Sequence, residues 1–347
     1  MKGVPNTGGR SLTQSQAIAD GIFKRSNSVS SDGVIKYRYD FPNGMVLTKT
    51  IPYPGFNPQL ASTAELAKLG FPRRPRNSAA MAAWHRLAAA ASSGHSYAPK
   101  LDIMTSFGNS SSASALGKWA GPVDYSPSTS NQYTGDWATF LAPNLGRACS
   151  DPQNNDYGIA QWTGIGGNRG FYRRLIQSGI EAGDYLNGST VWQPFLEILS
   201  TVPGGTIPEQ EFKSRTQASP IPIHPLDTIF SETKFKSTGG GTGVFFIEDE
   251  TDATYSIWTW SEIGAGFYNG TTAEAIEEDP TWDSAENAPH QALPFGPTQF
   301  AFITEKVRYN GVWTTAGNLP YQTNYSTHVL SSNFSTGHNF SVSWRGC

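Results

Sequence analysis

From about Leu116 to the C-terminus the chain is cut into strand-length pieces, and this limits its possible folds more than any other feature. Short apolar or alternating runs recur at 157–165, 172–181, 191–199, 227–235, 243–248, 255–260, 273–278, 298–308 and 339–344, separated by Gly, Pro and Asn clusters. Runs this short, spaced this evenly and punctuated by turn formers predict an all-β sandwich or barrel. The dipeptides Asn269-Gly270 and Asn310-Gly311 suit hairpin turns that need φ > 0. No repeat of fixed length is visible.

The N-terminal third reads differently. Residues 1–32 are polar, rich in Ser and Gly and without a period, which predicts disorder. Val34–Phe41 and Met45–Ile51 alternate around Asn43-Gly44, the pattern of a hairpin. Ser62 with Glu65 forms a capping box for a short helix that Gly70 and Pro72 end. A second helix is expected from Ser78 to Ala91, with Trp84 and Leu87 on one face. Residues 92–114 are Ser-rich and read as a linker. The expected organisation is therefore a disordered segment at 1–32, an extension or propeptide with its linker at 33–114, and a β-sandwich domain at 115–347. The extension is either a propeptide covering a cleft, removed near 105–114, or a permanent part packed on the sandwich.

Composition narrows the function. A net charge of -3 without a long Lys or Arg run argues against nucleic acid as a partner. No apolar run approaches a membrane span, and residues 1–20 lack an apolar signal core. Cys149 and Cys347, the only cysteines, form one bridge or stay free; they cannot build a cysteine zinc site. Asn-x-Ser/Thr sequons at Asn109, Asn187, Asn269, Asn324, Asn333 and Asn339 favour secretion weakly. There is no His-Glu-x-x-His, and the six His residues show no ligand spacing, so no metal is expected. A Gly-x-Ser-x-Gly elbow is missing as well. The glycines at 164–170 and 239–243 fit neither a dinucleotide nor a phosphate loop. Carboxylates and amides on strands remain as the plausible catalytic groups.

Several strand-like segments carry such groups among apolar residues. A period of two puts Leu175, Gln177, Gly179 and Glu181 on one face, and Glu197 with Phe195 and Leu199. In Ala273-Glu274-Ala275-Ile276-Glu277-Glu278-Asp279, Glu274, Ile276 and Glu278 share a face while Glu277 points away. Taken singly these mean little, since a lone Glu on a strand is ordinarily solvated and a Trp in a sandwich is ordinarily core. Their order is more specific. Trp119-Ala120-Gly121, Trp162-Thr163-Gly164-Ile165-Gly166-Gly167, Leu175-Ile176-Gln177-Ser178-Gly179-Ile180-Glu181, the Glu197 segment, Ala273 to Asp279 and Leu293-Pro294-Phe295-Gly296 follow one another in a set sequence. Together they resemble the eqolisins, or glutamic peptidases. Pro225-Leu226-Asp227-Thr228-Ile229 looks like that family's Gly-Asp-x-Ile strand, and residues 52–75 are similar to the N-terminal part of its bacterial members.

The resemblance implies an antiparallel two-sheet, concanavalin-like sandwich and an endopeptidase that works at acidic pH without a cofactor. Residue by residue it makes Gln177 the catalytic Gln and Glu278 the catalytic Glu. Glu197 becomes a supporting acid, Trp119 and Trp162 cleft aromatics, and Glu181 stands where the family usually has Asp. It further implies protein or peptide substrates and an extracellular, monomeric protein with no nucleic-acid or membrane partner. Three departures bear on cleft shape and substrate preference: Gly166 for Asp, Ala275 for Trp, and Leu196, Ile198 and Leu199 for aromatics. Two other readings are a β-sandwich glycosidase using Glu197 and Glu278, and a non-catalytic sandwich binding peptide or glycan, which the loss of Asp at 166 favours. Glu277→Gln, on the opposite face, is expected to matter little.

Overall fold

A computed structural model describes residues 10–13, 24–41, 44–53, 55–69, 102–106, 119–125, 133–144, 157–166, 174–183, 192–200, 209–213, 223–236 and 240–252. It also describes 254–261, 270–278, 291–292, 300–309, 312–315, 322–325, 330–334, 340–344 and scattered positions between 71 and 92. The two cysteines and the Pro-Phe segment at 293–296 lie outside these residues.

The strands, in chain order, begin with β1 (Arg10–Thr13), β2 (Lys24–Val29), β3 (Ile35–Asp40), β4 (Val46–Ile51), β5 (Asp102–Ser106), β6 (Trp119–Tyr125) and β7 (Tyr133–Leu141). They continue as β8 (Tyr157–Ile165), β9 (Arg174–Gly183), β10 (Gln193–Ser200), β11 (Glu209–Lys213), β12 (Thr228–Lys236), β13 (Thr242–Asp249) and β14 (Thr254–Ser261). The rest are β15 (Thr272–Glu278), β16 (Gln291–Ala292), β17 (Phe300–Tyr309), β18 (Val312–Thr315), β19 (Gln322–Tyr325), β20 (Leu330–Phe334) and β21 (Phe340–Trp344).

Two sheets result. The first runs β1-β5-β11-β10-β9-β8-β15-β6-β19, with β16 beside β8. The second runs β2-β3-β4-β14-β13-β12-β7-β17-β21-β20, with β18 beside β17. Every pairing is antiparallel except β16 with β8. The expected all-β sandwich is therefore what the chain forms.

Alternation sorts the side chains of the first sheet into two buried sets. One set faces the second sheet: Ile165, Ile176, Leu196 and Ile198 meet Tyr39, Leu47, Phe235, Phe245 and Trp260. A polar layer crosses this core, with the Thr163 hydroxyl donating to Ser231 Oγ at 3.2 Å and Ser231 Oγ donating to the Ser178 carbonyl at 2.8 Å. The other set, on the outer face, joins Trp119, Val123, Ala160, Trp162, Leu175, Phe195 and Ile276.

The N-terminal segments are built into both sheets. The β3–β4 hairpin forms around Gly44 at φ 85, and β4 pairs with β14 through Leu47 and Trp260. Ser62 caps helix α1 (Thr63–Lys68) by accepting from the Glu65 amide at 3.1 Å. The described positions between Met81 and Ser92 are helical too. Leu66, Leu69, Phe71, Trp84 and Ala88 pack on Phe230, Phe246 and Tyr255, covering the outer face of the second sheet. In the polar stretch before residue 33, the described residues include two strands. These are β1 and β2, and β2, exposed along its length, is held by backbone pairing to β3 rather than by apolar side chains.

Candidate active site

Four adjacent strands, β10-β9-β8-β15, with β6 beyond them, bring the sequence-predicted residues to the outer face of the first sheet. The register sets up two rows. One runs Glu197, Gln177, Gly164, Glu274 and Val123; the other runs Gln193, Glu181, Ala160, Glu278 and Trp119. Between them lies Ile276 opposite Trp162, then Gly179 and Phe195.

Glu278 is gripped from two sides. Trp119 Nε1 donates to one carboxylate oxygen at 3.0 Å and Trp162 Nε1 to the other at 2.8 Å. The two indoles meet edge to face, with ring centroids 5.0 Å apart. An indole N–H is a donor only, so this arrangement suits an acceptor carboxylate, whose oxygens keep lone pairs for a further partner. Trp119 is aimed by a break in its strand. Gly121 has φ +140, a Cβ there would strike the Ala275 carbonyl, and Pro122 offers no amide, so the β15–β6 ladder skips Ala275 and Ile276.

Trp162 lies between Glu278 and Gln177. A Cβ placed on Gly164 would come within 2.9 Å of Trp162 Cζ3 and 3.0 Å of Leu175 Cδ1, so the benzo edge of the indole fills the space above Gly164 while its N–H reaches Glu278. Gly164 faces Gln177 directly across the β8–β9 pairing. Gln177 is buried, and its Nε2 donates to Glu197 Oε2 in a short contact. A carboxylate can only accept, which fixes the amide: nitrogen toward Glu197, with Oε1 lacking a donor among the described residues. Glu181, also buried, accepts from Gln193 Nε2 at 2.8 Å. All six residues predicted for the site thus occupy one face.

The structure adds to one sequence expectation near the site and revises another. Glu277 does face away from Glu278, but that side is the sealed space between the sheets, not solvent; the residue is 0% exposed. Leu196 and Ile198 belong to the inter-sheet core, so those departures shape the core and not the cleft. At position 166 the backbone is left-handed, φ 86, a conformation that Gly adopts without strain.

Glu274 was not singled out as a site residue, yet it stands in the Gln177 row beyond Gly164, 0% exposed. Burial raises its carboxyl well above the usual range, opposed by a hydrogen bond from Thr272 and reinforced by the nearby Asp124 charge. The shared face with Glu278 was the only signal for it in the sequence.

A sandwich presenting a doubly held carboxylate and an oriented amide on one sheet face points to the class of β-sandwich hydrolases. The sequence model of the Peptidase A4 family matches residues 117–344, well over half of the chain, and the protein belongs to that family. It is a glutamic peptidase, a hydrolase acting on proteins or peptides. No curated protein sequence matches it. Among solved structures it is similar to scytalido-glutamic peptidase with a peptide-based transition-state analogue, at 16% identity and TM-score 0.49, covering 67% of this chain and 100% of that one. SCP-B, an eqolisin in complex with the tripeptide Ala-Ile-His, gives 16% and 0.48 over the same shares. Aspergilloglutamic peptidase from Aspergillus niger gives 18% and 0.40, covering 55% of this chain and 99% of that one. Among the described residues no helix is long and apolar enough to cross a membrane.

Proposed function

We propose that this protein is an exported endopeptidase, working at acidic pH, in which Glu278 and Gln177 act together on one water molecule. The observation that carries this reading is the grip on Glu278: two indole N–H groups hold its carboxylate on the face that also presents Gln177. Glu278 takes a proton from the water as its oxygen attacks the scissile carbonyl carbon. The carbonyl oxygen becomes an oxyanion, toward which the second Gln177 N–H can donate while the first stays on Glu197. Glu278 then returns the proton to the amide nitrogen, the C–N bond breaks, and the carboxylate is regenerated. In this reading Gln177 Oε1 accepts from the attacking water.

The glycosidase reading fits less well. Glu197 and Glu278 stand three strands apart and four residues apart along the sheet, roughly 19 Å between backbones at the usual strand geometry, against roughly 16 Å for Gln177 and Glu278. A glycosidase needs its carboxyl groups about 5 to 9.5 Å apart. Glu197 is moreover engaged by Gln177. Incubation with denatured protein and with polysaccharides across acidic pH separates the readings. Protein cleavage alone is expected, falling about 10² to 10³ in Gln177→Ala. Polysaccharide cleavage, or saturable peptide binding with no turnover at any pH, would replace this reading by the glycosidase or the non-catalytic sandwich.

A further inference from the structure

We infer that the β12–β13 end of the second sheet holds a divalent cation of the zinc class, bound by His224, Asp227 and Asp252 with Asp249 behind them. The inference is independent of the peptidase reading. No ligand spacing in the sequence showed this cluster, because the fold assembles it from the loop before β12 and the turn after β13.

The ligand atoms of the three residues all lie within 4.8 Å of one another. His224 Nδ1 is 3.4 Å from Asp227 Oδ2 and 3.4 Å from Asp252 Oδ2. A tetrahedron of bonds of about 2.1 Å, the length typical of zinc to imidazole or carboxylate, has edges of about 3.4 Å. An imidazole among carboxylates favours zinc over calcium, which takes oxygen ligands. Asp227 and its loop are fixed in advance: the His224 amide donates to Asp227 Oδ2 at 2.6 Å, the Leu226 amide donates to the Ala142 carbonyl, and the Ala142 amide donates to the Asp227 carbonyl. Leu226 takes a left-handed φ of 73 in this loop.

Asp249 supplies a separate indication of a ligand. It is 0% exposed, and its Oδ1 accepts from the Thr251 and Asp252 amides at 2.9 and 3.1 Å. Its Oδ2 is buried, accepts from no N–H or hydroxyl among the described residues, and meets the Asp227 carboxyl. Among the described residues no Lys or Arg pairs with any of these three aspartates. Two abutting carboxylates need a proton or a cation to offset their repulsion, and a cation on the Asp227 side does so. Bound there, it would tie the 224–227 loop to the 249–252 turn.

The test is calorimetric titration of the full chain, stripped with a chelator, with zinc chloride at pH 7 and with calcium chloride as comparison. One zinc equivalent should bind, more tightly than calcium. His224 and Asp252 have side chains 64% and 41% exposed, so His224→Ala and Asp252→Ala should fold normally and weaken zinc at least tenfold. Asp249→Asn, altering only a supporting group, should weaken it about 10- to 100-fold. No saturable zinc binding would overturn the inference. So would zinc affinity unchanged in His224→Ala, or calcium bound as tightly as zinc.

Discussion

Glu274 and Glu277 are sealed from water on opposite faces of β15, and burial raises both carboxyls well above their ordinary range. A group whose folded-state value is raised binds its proton more tightly in the native state, so stability falls as pH climbs from the unfolded value, about 4.3 for Glu, toward the folded one. Each such group costs up to about 1.4 kcal/mol per pH unit across that window. The fold is accordingly expected to be firmest in acid and to weaken toward neutrality, in keeping with the proposed working range. Glu277→Gln removes one of these groups while keeping its shape. Thermal melts should nearly coincide with wild type below about pH 4. Above that, the variant should lose stability less steeply; parallel curves would show that Glu277 does not carry this dependence.

At the level of elements, the site depends on how β8 and β6 present their tryptophans. Gly164→Ala puts a methyl group where the Trp162 ring and Leu175 already sit. Peptidase activity should fall about 10²-fold through loss of Trp162 alignment with Glu278, with altered tryptophan fluorescence but β-sheet circular dichroism retained. Full activity with unchanged fluorescence would mean the ring has another place to go. Much at this scale was legible beforehand. β8, β9, β10 and β15 coincide closely with runs of alternating residues, and that alternation placed Gln177, Glu197 and Glu278 correctly on their faces. β7 was not legible, because it lies mid-sheet, is buried on both sides and includes Asp136 and Thr139, which blurs a period of two. β6 was hidden by Pro122 and Gly121, the residues that interrupt its pairing. The His224 cluster comes from segments 25 residues apart in sequence, a juxtaposition only the β12–β13 pairing produces.

For the whole molecule, we propose that the extension is a permanent part of the sandwich and not a cover for the cleft. Tyr39, Phe41, Met45 and Leu47 are core residues between the sheets, and the helical segment packs on the second sheet, away from Glu278. We propose that acid treatment leaves residues 33–92 attached to the active protein. Removing residues 1–114 should abolish folding or lower its melting temperature sharply, since truncating even one such core side chain costs about 2–5 kcal/mol. A stable, more active product of acid self-cleavage near 105–114 would restore the propeptide reading. The central claim, that a carboxylate held by two indoles activates water, is tested most directly by pH-resolved cleavage of a denatured protein by wild type and Glu278→Gln. Wild type should cleave in acid, and the variant should retain the fold but lose at least 10² to 10⁴ in rate at every pH. Cleavage by Glu278→Gln at the wild-type rate would contradict the account.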